Sequence, residues 1–318
     1  AFIVSGGKII WKISGLGLSI IVIAVLMEYT SLEMEKMAGV RQYAYSNGWK
    51  QASNGLYIYE HYYKNDSKPV PIQFRELDSL VRDYFNKPHQ NVSLLYPDQE
   101  ITLGSYYMAV GGTPLYSYMQ QKSGYKDWSL DFHRTAPYGP LYRAYGNYLI
   151  LHHLVGYVKY VVYPHIISYL TPYPEIFTEN QPAFSLWMDD NYGKVARDFY
   201  QLNTIKVPDK YIQLRAMILA PYPFIYTFIH IVFIFTLLIF IYLKKIRLLD
   251  KYHSLCMLGL IMMSLGNFIF TVLSTTSVLR YQPGIIAIEF TLAIYFSEFI
   301  LLYEHKRPEL YNEIDKCN

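Results

Sequence analysis

"YPFIYTFIHIVFIFTLLIFIYL", residues Tyr222–Leu243, runs without a single Asp, Glu, Lys or Arg. Its length is about 20 residues, which is what a helix needs to cross ~30 Å of hydrocarbon. Reading it as a membrane span decides how the rest of the chain is read. Three other segments have the same character: Ile13–Glu28 (or from Ile9), Ser254–Thr275 and Gly284–Tyr303. The composition agrees: 52% of the 318 residues are hydrophobic and 17% charged, where soluble domains carry about 25% charged residues. The 34 tyrosines have an apolar body and a polar tip, which suits membrane-water boundaries and interfaces.

The first span resembles a signal peptide in having Lys8 and Lys12 before it. No small-x-small cleavage site follows, because "MEYTSLEMEK" is bulky and charged, so the segment is read as a retained anchor. The chain starts at Ala1 rather than Met, which leaves room for sequence upstream. The expected fold is therefore mainly α: an integral membrane protein with four transmembrane helices and a large, mostly helical extracytoplasmic domain between the first and second. The divisions are a membrane anchor (1–28), an extracytoplasmic domain (29–220), a three-helix membrane bundle (221–303) and a cytoplasmic tail (304–318).

Basic residues near span ends set the expected orientation. Lys8 and Lys12, the group Lys244, Lys245, Arg247 and Lys251, and the pair Lys306 and Arg307 all fall on one side if the chain crosses four times. Both termini are then cytoplasmic, the membrane is the cytoplasmic (inner) one, and residues 29–220 are periplasmic or extracellular. That long segment lacks cysteine, so it is no disulfide scaffold. Thr30–Tyr63 contains no proline and reads as mostly helical. "KNDSKPVP" (64–71) is a loop. "FRELDSLVRDYF" (74–85) is an amphipathic helix with Phe74, Leu77, Leu80, Val81 and Phe85 on one side and acids and arginines on the other. Residues 86–140 are turn-rich, and 141–170 are helical with a kink expected before Pro164. "VPDKYIQLRAMILAPYP" (207–223) reads as an interfacial helix leading into the second span.

A net charge of +3 and the lack of a basic patch with interleaved aromatics argue against nucleic acid as a partner. There is no CxxC, no HExxH and no zinc-spaced His/Cys cluster, so no metal and no cofactor is expected. Membrane lipids are the expected partners.

Ionisable groups inside an apolar run are the first candidates for chemistry. Glu289 lies ~6 Å along the fourth span from one end, and Glu298 is near the other. Nine residues separate them, which puts them on opposite helix faces and rules out a shared-proton dyad. On the third span Ser264, Asn267, Thr271 and Ser274 form one polar stripe, a seam that packs against another helix and satisfies one of the glutamates. Arg280, with Tyr281 beside it and Pro283 after it, stands at the mouth of the fourth span, where a guanidinium fork suits a lipid phosphate. Glu33 and Glu35 follow the first span and are candidates for a general base. Asp131, His133 and Arg134 fall close together in a turn-rich stretch, as in a binding loop. His152 and His153, adjacent on a helix, point about 100° apart and do not suit a shared metal.

Three stretches, "AYSNGWKQASNGLYIY" (44–59), "YGPLYRAYGNYLILHHLVGYVKYVVYPHIISYLTPYPEIF" (138–177) and "LRYQPGIIAIEF" (279–290), resemble the C-terminal half of GT-C-like polytopic membrane glycosyltransferases of Bacteroidetes-type bacteria. The resemblance implies a polyprenyl-phosphate-linked sugar as donor and transfer outside the cytoplasmic membrane. Arg280 and Tyr281 are the positions that carry over, as the start of the family's "RY-x-P". The chain departs from the family in having four spans rather than many, and "LEMEK" does not match its paired catalytic acids. Two functions follow: all or part of a transferase acting on a lipid-linked sugar, or a non-catalytic accessory or structural subunit of a larger membrane complex.

Overall fold

The computed structural model describes residues 9–44, 46–62, 69–87, 106–109, 112–124, 132–172, 213–214, 217–244, 249, 251–274 and 282–314. These are almost wholly helical, and no strand occurs among them. Four helices are long and apolar enough to cross a membrane: Ile13–Ala38, Met217–Tyr242, Tyr252–Ser274 and Pro283–Leu301. They fit a multi-pass membrane protein. Two compact units emerge from the packing, one of residues 1–169 with 241–277, the other of residues 170–240 with 278–318. The third span thus groups with the polar segment, and the second groups with the fourth.

In the first unit, α1 (Ile9–Ala38) runs unbroken from the first span into the polar sequence beyond it. Thr30 and Ser31 return their hydroxyls to the carbonyls of Leu26 and Met27, which satisfies them without breaking the helix. The helix ends at Gly39, whose φ of +70° gives the left-handed cap that a Cβ would resist. The mostly helical stretch 30–63 is thus carried by two helices, the end of α1 and Ser46–Tyr62. Ile20, Ile21, Val22 and Ile23 are consecutive, and all are exposed. Four consecutive residues sweep most of the circumference, so no described neighbour covers this stretch of the helix.

The core is built on α2 (Ser46–Tyr62) and α7 (Gly139–His152). They approach so closely that a Cβ on Gly146 would lie 2.6 Å from Ala52 N, and one on Gly48 2.6 Å from Gly139 C. Around this seam Tyr59, Tyr107, Tyr116, Tyr142 and Tyr145 are fully buried with Leu56, Ile58 and Leu115. Many tyrosines are thus core residues rather than boundary residues. Buried hydroxyls need partners: Tyr142 donates to Leu115 O at 2.5 Å and Tyr145 to Asp78 at 2.8 Å. Trp49 Nε1 donates to Thr135 O at 2.9 Å and packs edge-on to Tyr142.

α3 (Arg75–Asn86) buries Phe74, at its N-terminal boundary, with Leu77, Val81 and Phe85, but Asp78 does not share the solvated face expected of it. Asp78 is buried with a purpose: it accepts from Tyr145 Oη and from Arg82 Nε at 2.7 Å. Between α3 and α7 lie α4 (Tyr106–Ala109), α5 (Pro114–Ser123) and α6 (Phe132–Thr135). The stretch read as turns therefore holds a ten-residue helix, α5. It starts at Pro114, which suits the first helical position, and it ends at Gly124 with φ +71°.

The helix expected over 141–170 is broken twice. At His153 (φ −138°, ψ 61°) the chain leaves helical geometry, so His152 and His153 do not share one helix. It resumes as α8 (Leu154–Tyr157), passes through a π turn (Val158–Val162) and continues as α9 (Tyr163–Leu170). The π turn ends at Val162, two residues before Pro164, and the Tyr163 N–H reaches Val158 O, five residues back. A proline removes one donor from the ladder, and a π turn accommodates such a fault. α9 packs on α11 (Lys251–Ser274), the third span.

The second unit contains α10 (Tyr222–Tyr242) and α12 (Pro283–Ile314). Of the expected interfacial helix, 213–214 and 217–219 are helical, and Met217 onward is continuous in character with the second span. Residues 207–212 and 215–216 lie outside the described residues.

Candidate functional site

The fourth span enters at Pro283, and its first turn is fastened by Ile286 N–H to Gln282 O at 2.9 Å. Glu289 follows about 9 Å along the helix axis, at 1.5 Å per residue. On α10, His230 lies about 12 Å from Tyr222 by the same measure. The two side chains meet: His230 Nδ1 and Glu289 Oε2 are 2.6 Å apart, each 3% exposed. Glu289 thus has a histidine of the second span as a partner, a residue the sequence reading did not pair with it. A contact this short holds one proton between the two atoms. Either Nδ1–H donates to the carboxylate, or the carboxylic acid donates to Nδ1. In hydrocarbon, where an unpaired polar group is costly, such a pair fastens the two spans.

Aromatic packing joins the same two helices further along. Phe240 packs against Phe296 at 4.8 Å between ring centroids, and Phe233 stacks on the same ring. Tyr226 and Ile286 pack together with Leu219, Tyr222 and Ile229. Beside the pair, the α10–α12 seam opens into a groove of about 540 Å³. Its walls are Phe228, Ile229 and Val232 from α10 and Phe290, Ala293, Ile294 and Leu301 from α12. Ser297 and Glu298 are the polar members of its lining, and Ser297 returns its hydroxyl to Ala293 O. Glu298 is exposed where Glu289 is buried, as their opposite faces require.

The polar stripe of the third span meets partners within the first unit. Ser264 is buried, and Asn267 Oδ1 accepts from Tyr169 Oη at 3.3 Å. Thr271 and Ser274 are half-buried on the same helix. His165 Nδ1–H donates to Val272 O at 2.9 Å. The helix that meets Asn267 of the stripe is thus α9.

Arg280 and Tyr281 lie outside the described residues. Glu33 is ion-paired with Lys36 at 2.8 Å, and Glu35 is exposed on the same helix. Asp131 also lies outside the described residues. His133 Nδ1–H donates to Met37 O at 2.8 Å, and Gln42 Nε2 donates to Ala136 O at 2.8 Å. These bonds fasten residues 133–136 to the end of α1 and the turn that follows it. Among the described residues no three His, Cys, Asp or Glu side chains converge as a metal site would need.

His230 was not singled out in the sequence. The available signal was a lone imidazole in an otherwise apolar span, and the reciprocal signal was the lone glutamate near the same end of another span. Compared with protein-family models, with curated proteins and with solved structures, the chain matches none.

Proposed function

We propose that this chain is a multi-pass protein of the cytoplasmic membrane that holds a lipid-linked sugar. Its hydrocarbon tail lies along the α10–α12 groove, and its phosphate is gripped by Arg280 and Tyr281 in the connection that leads into α12. Both termini are cytoplasmic in this reading, and residues 29–220 face the periplasm or the outside. The observation that carries it is the groove: an apolar furrow on two membrane spans, beside a buried His–Glu pair. Hydrocarbon chains fill such furrows without desolvation cost, and an arginine fork supplies phosphate recognition. The polyprenyl class of the lipid and the GT-C-like body come from the sequence resemblance.

The test uses the full chain in nanodiscs with a photoreactive polyprenyl phosphate. Filling the groove by Ala293→Trp with Ser297→Trp is expected to cut labelling about tenfold, a loss of about 1.4 kcal/mol in binding. Arg280→Ala is expected to cut it by a similar factor with the phosphate probe and not with a neutral prenyl alcohol. Unchanged labelling in the groove variants would sink the proposal. Transfer itself is read separately: sugar transfer that survives Glu33→Gln with Glu35→Gln removes those residues as the base.

One observation favours a second reading, a non-catalytic accessory or structural subunit. The apolar girth of α1 is exposed on consecutive residues, which suits a helix that meets spans of another protein. Crosslinking from Ile21 and Val22 in native membranes tests it; capture of lipid alone from both positions would remove this support.

A further inference from the structure

We propose that the broken helical segment from Leu151 to Leu170 is a membrane-dipping element whose free edge lies in lipid. The depth follows from its contacts with the third span. Tyr157 Oη donates to Leu273 O at 2.8 Å, His165 Nδ1–H to Val272 O at 2.9 Å, and Tyr169 Oη to Asn267 Oδ1 at 3.3 Å. As the segment advances from 157 to 169, its partners move back from 273 to 267. It therefore descends alongside α11 by about 9 Å from near that helix's Ser274 end. Tyr169 is edge-on to Phe268 at the bottom of this run.

The bonds themselves suit a low-dielectric setting. Val272 and Leu273 lie in the last turn of α11, where carbonyls lack intrahelical donors. Within a bilayer such groups must be satisfied by protein, and Tyr157 and His165 do so here.

Away from α11 the segment presents an apolar edge. Leu151, Leu154, Val155 and Val158 are 68%, 57%, 77% and 57% exposed. Four large aliphatic groups on one edge, tied to the end of a span, lie at the depth where hydrocarbon begins. Next to them Lys159 Nζ sits 4.9 Å over the Tyr160 ring. Tyr160 stacks on His61 at 3.7 Å, and Tyr62 stacks on His153 at 4.8 Å. Amphipathic aromatics and a snorkelling lysine are the residues of the headgroup zone. The edge and the aromatic group together make the underside of the first unit a lipid-contact surface, so the domain is docked on the membrane as well as anchored through its spans.

Depth-sensitive spin labelling in nanodiscs tests this. In a Cys256→Ser, Cys317→Ser background, single labels are placed at Val155, at Leu273 on the third span as a lipid reference, and at Gln121 on α5 as a water reference. The ratio of oxygen to nickel-chelate accessibility at Val155 is expected near the Leu273 value and several-fold above the Gln121 value. A ratio like that of Gln121 would overturn the proposal. Protection from both reagents would overturn it too, by pointing to a protein partner. If the labelled chain does not fold, Val155→Trp with brominated lipids reads the same question: quenching as strong as that of Leu273→Trp supports immersion, and its absence refutes it.

Discussion

Gly146 is the position where one methyl group should do most damage. In an exposed helix interior, Gly→Ala stabilises by about 1 kcal/mol. At Gly146 the new Cβ would lie 2.6 Å from Ala52 N, with Gln51 C and O closer still. All of these are backbone atoms, so no side-chain rotation relieves the clash. Ordinary contact requires α2 and α7 to separate by close to 1 Å, and overpacking of that kind costs about 1–3 kcal/mol. The separation would also loosen Tyr142, Tyr145 and Leu149, which are fully buried along the seam. The expected outcome is therefore a reversal of sign, with Gly146→Ala less stable than the parent by about 1–3 kcal/mol. Gly55→Ala should be milder, since its nearest neighbour is the movable Leu149 Cδ1 at 3.0 Å. Gly266→Ala on the third span, with nothing within 4 Å, should be neutral or stabilising. Unfolding in mild detergent can be followed by Trp49 fluorescence, because Trp49 is buried against Tyr142 and Tyr116. A Gly146→Ala protein as stable as the Gly266→Ala protein would refute the close-packed seam.

Other outcomes follow from buried polar groups. Asp78→Ala leaves Tyr145 Oη without its acceptor and should cost about 1–3 kcal/mol; adding Tyr145→Phe should recover part of it in a double-mutant cycle. Glu289→Leu removes the carboxyl partner of His230 Nδ1 and should destabilise by about 1–3 kcal/mol. Glu289→Gln, which keeps an acceptor, should cost less, and thermal melts in detergent would separate the two. Burial, reinforced by neighbouring tyrosines and by Glu60 or Asp78, holds Tyr107, Tyr142 and Tyr145 well above the ordinary phenol value of 10.0. Their folded pKa values exceed the unfolded ones, so this contribution is whole below pH 10 and is lost as pH rises further. Tyrosinate absorbance should then appear together with loss of near-UV dichroism; ionisation of these core groups in a still-folded protein would contradict their burial.

The spans were legible because hydrocarbon imposes a single demand, a long run without charge, and each of the four expected runs is matched by a helix. α3 was legible because its apolar residues recur at helical spacing. What sequence pattern could not supply was partnership. Asp78 is polar and so reads as solvated, yet Tyr145, 67 residues away in sequence, converts it into a core residue. Glu289 likewise has a partner, His230, that lies 59 residues away on another span and that no local pattern connects to it. α5 was hidden among Gly and Pro signals that mark its ends, not an absence of helix. The glycines of α2 and α7 stood within recognised stretches, but their meaning is steric and emerges only when two helices face each other.

The π turn before Pro164 makes the docking of α9 a matter of residue count. Its five residues close wider rings than an α-helix would, so the turn acts as a one-residue insertion that rotates everything after it by about 100°. His165 and Tyr169 face the third span because of that offset. Excising one residue from Val158–Val162 would give a more regular helix, and it would swing both side chains off Val272 and Asn267. In this chain an insertion or deletion there should be tolerated less well than almost any substitution of the same residues.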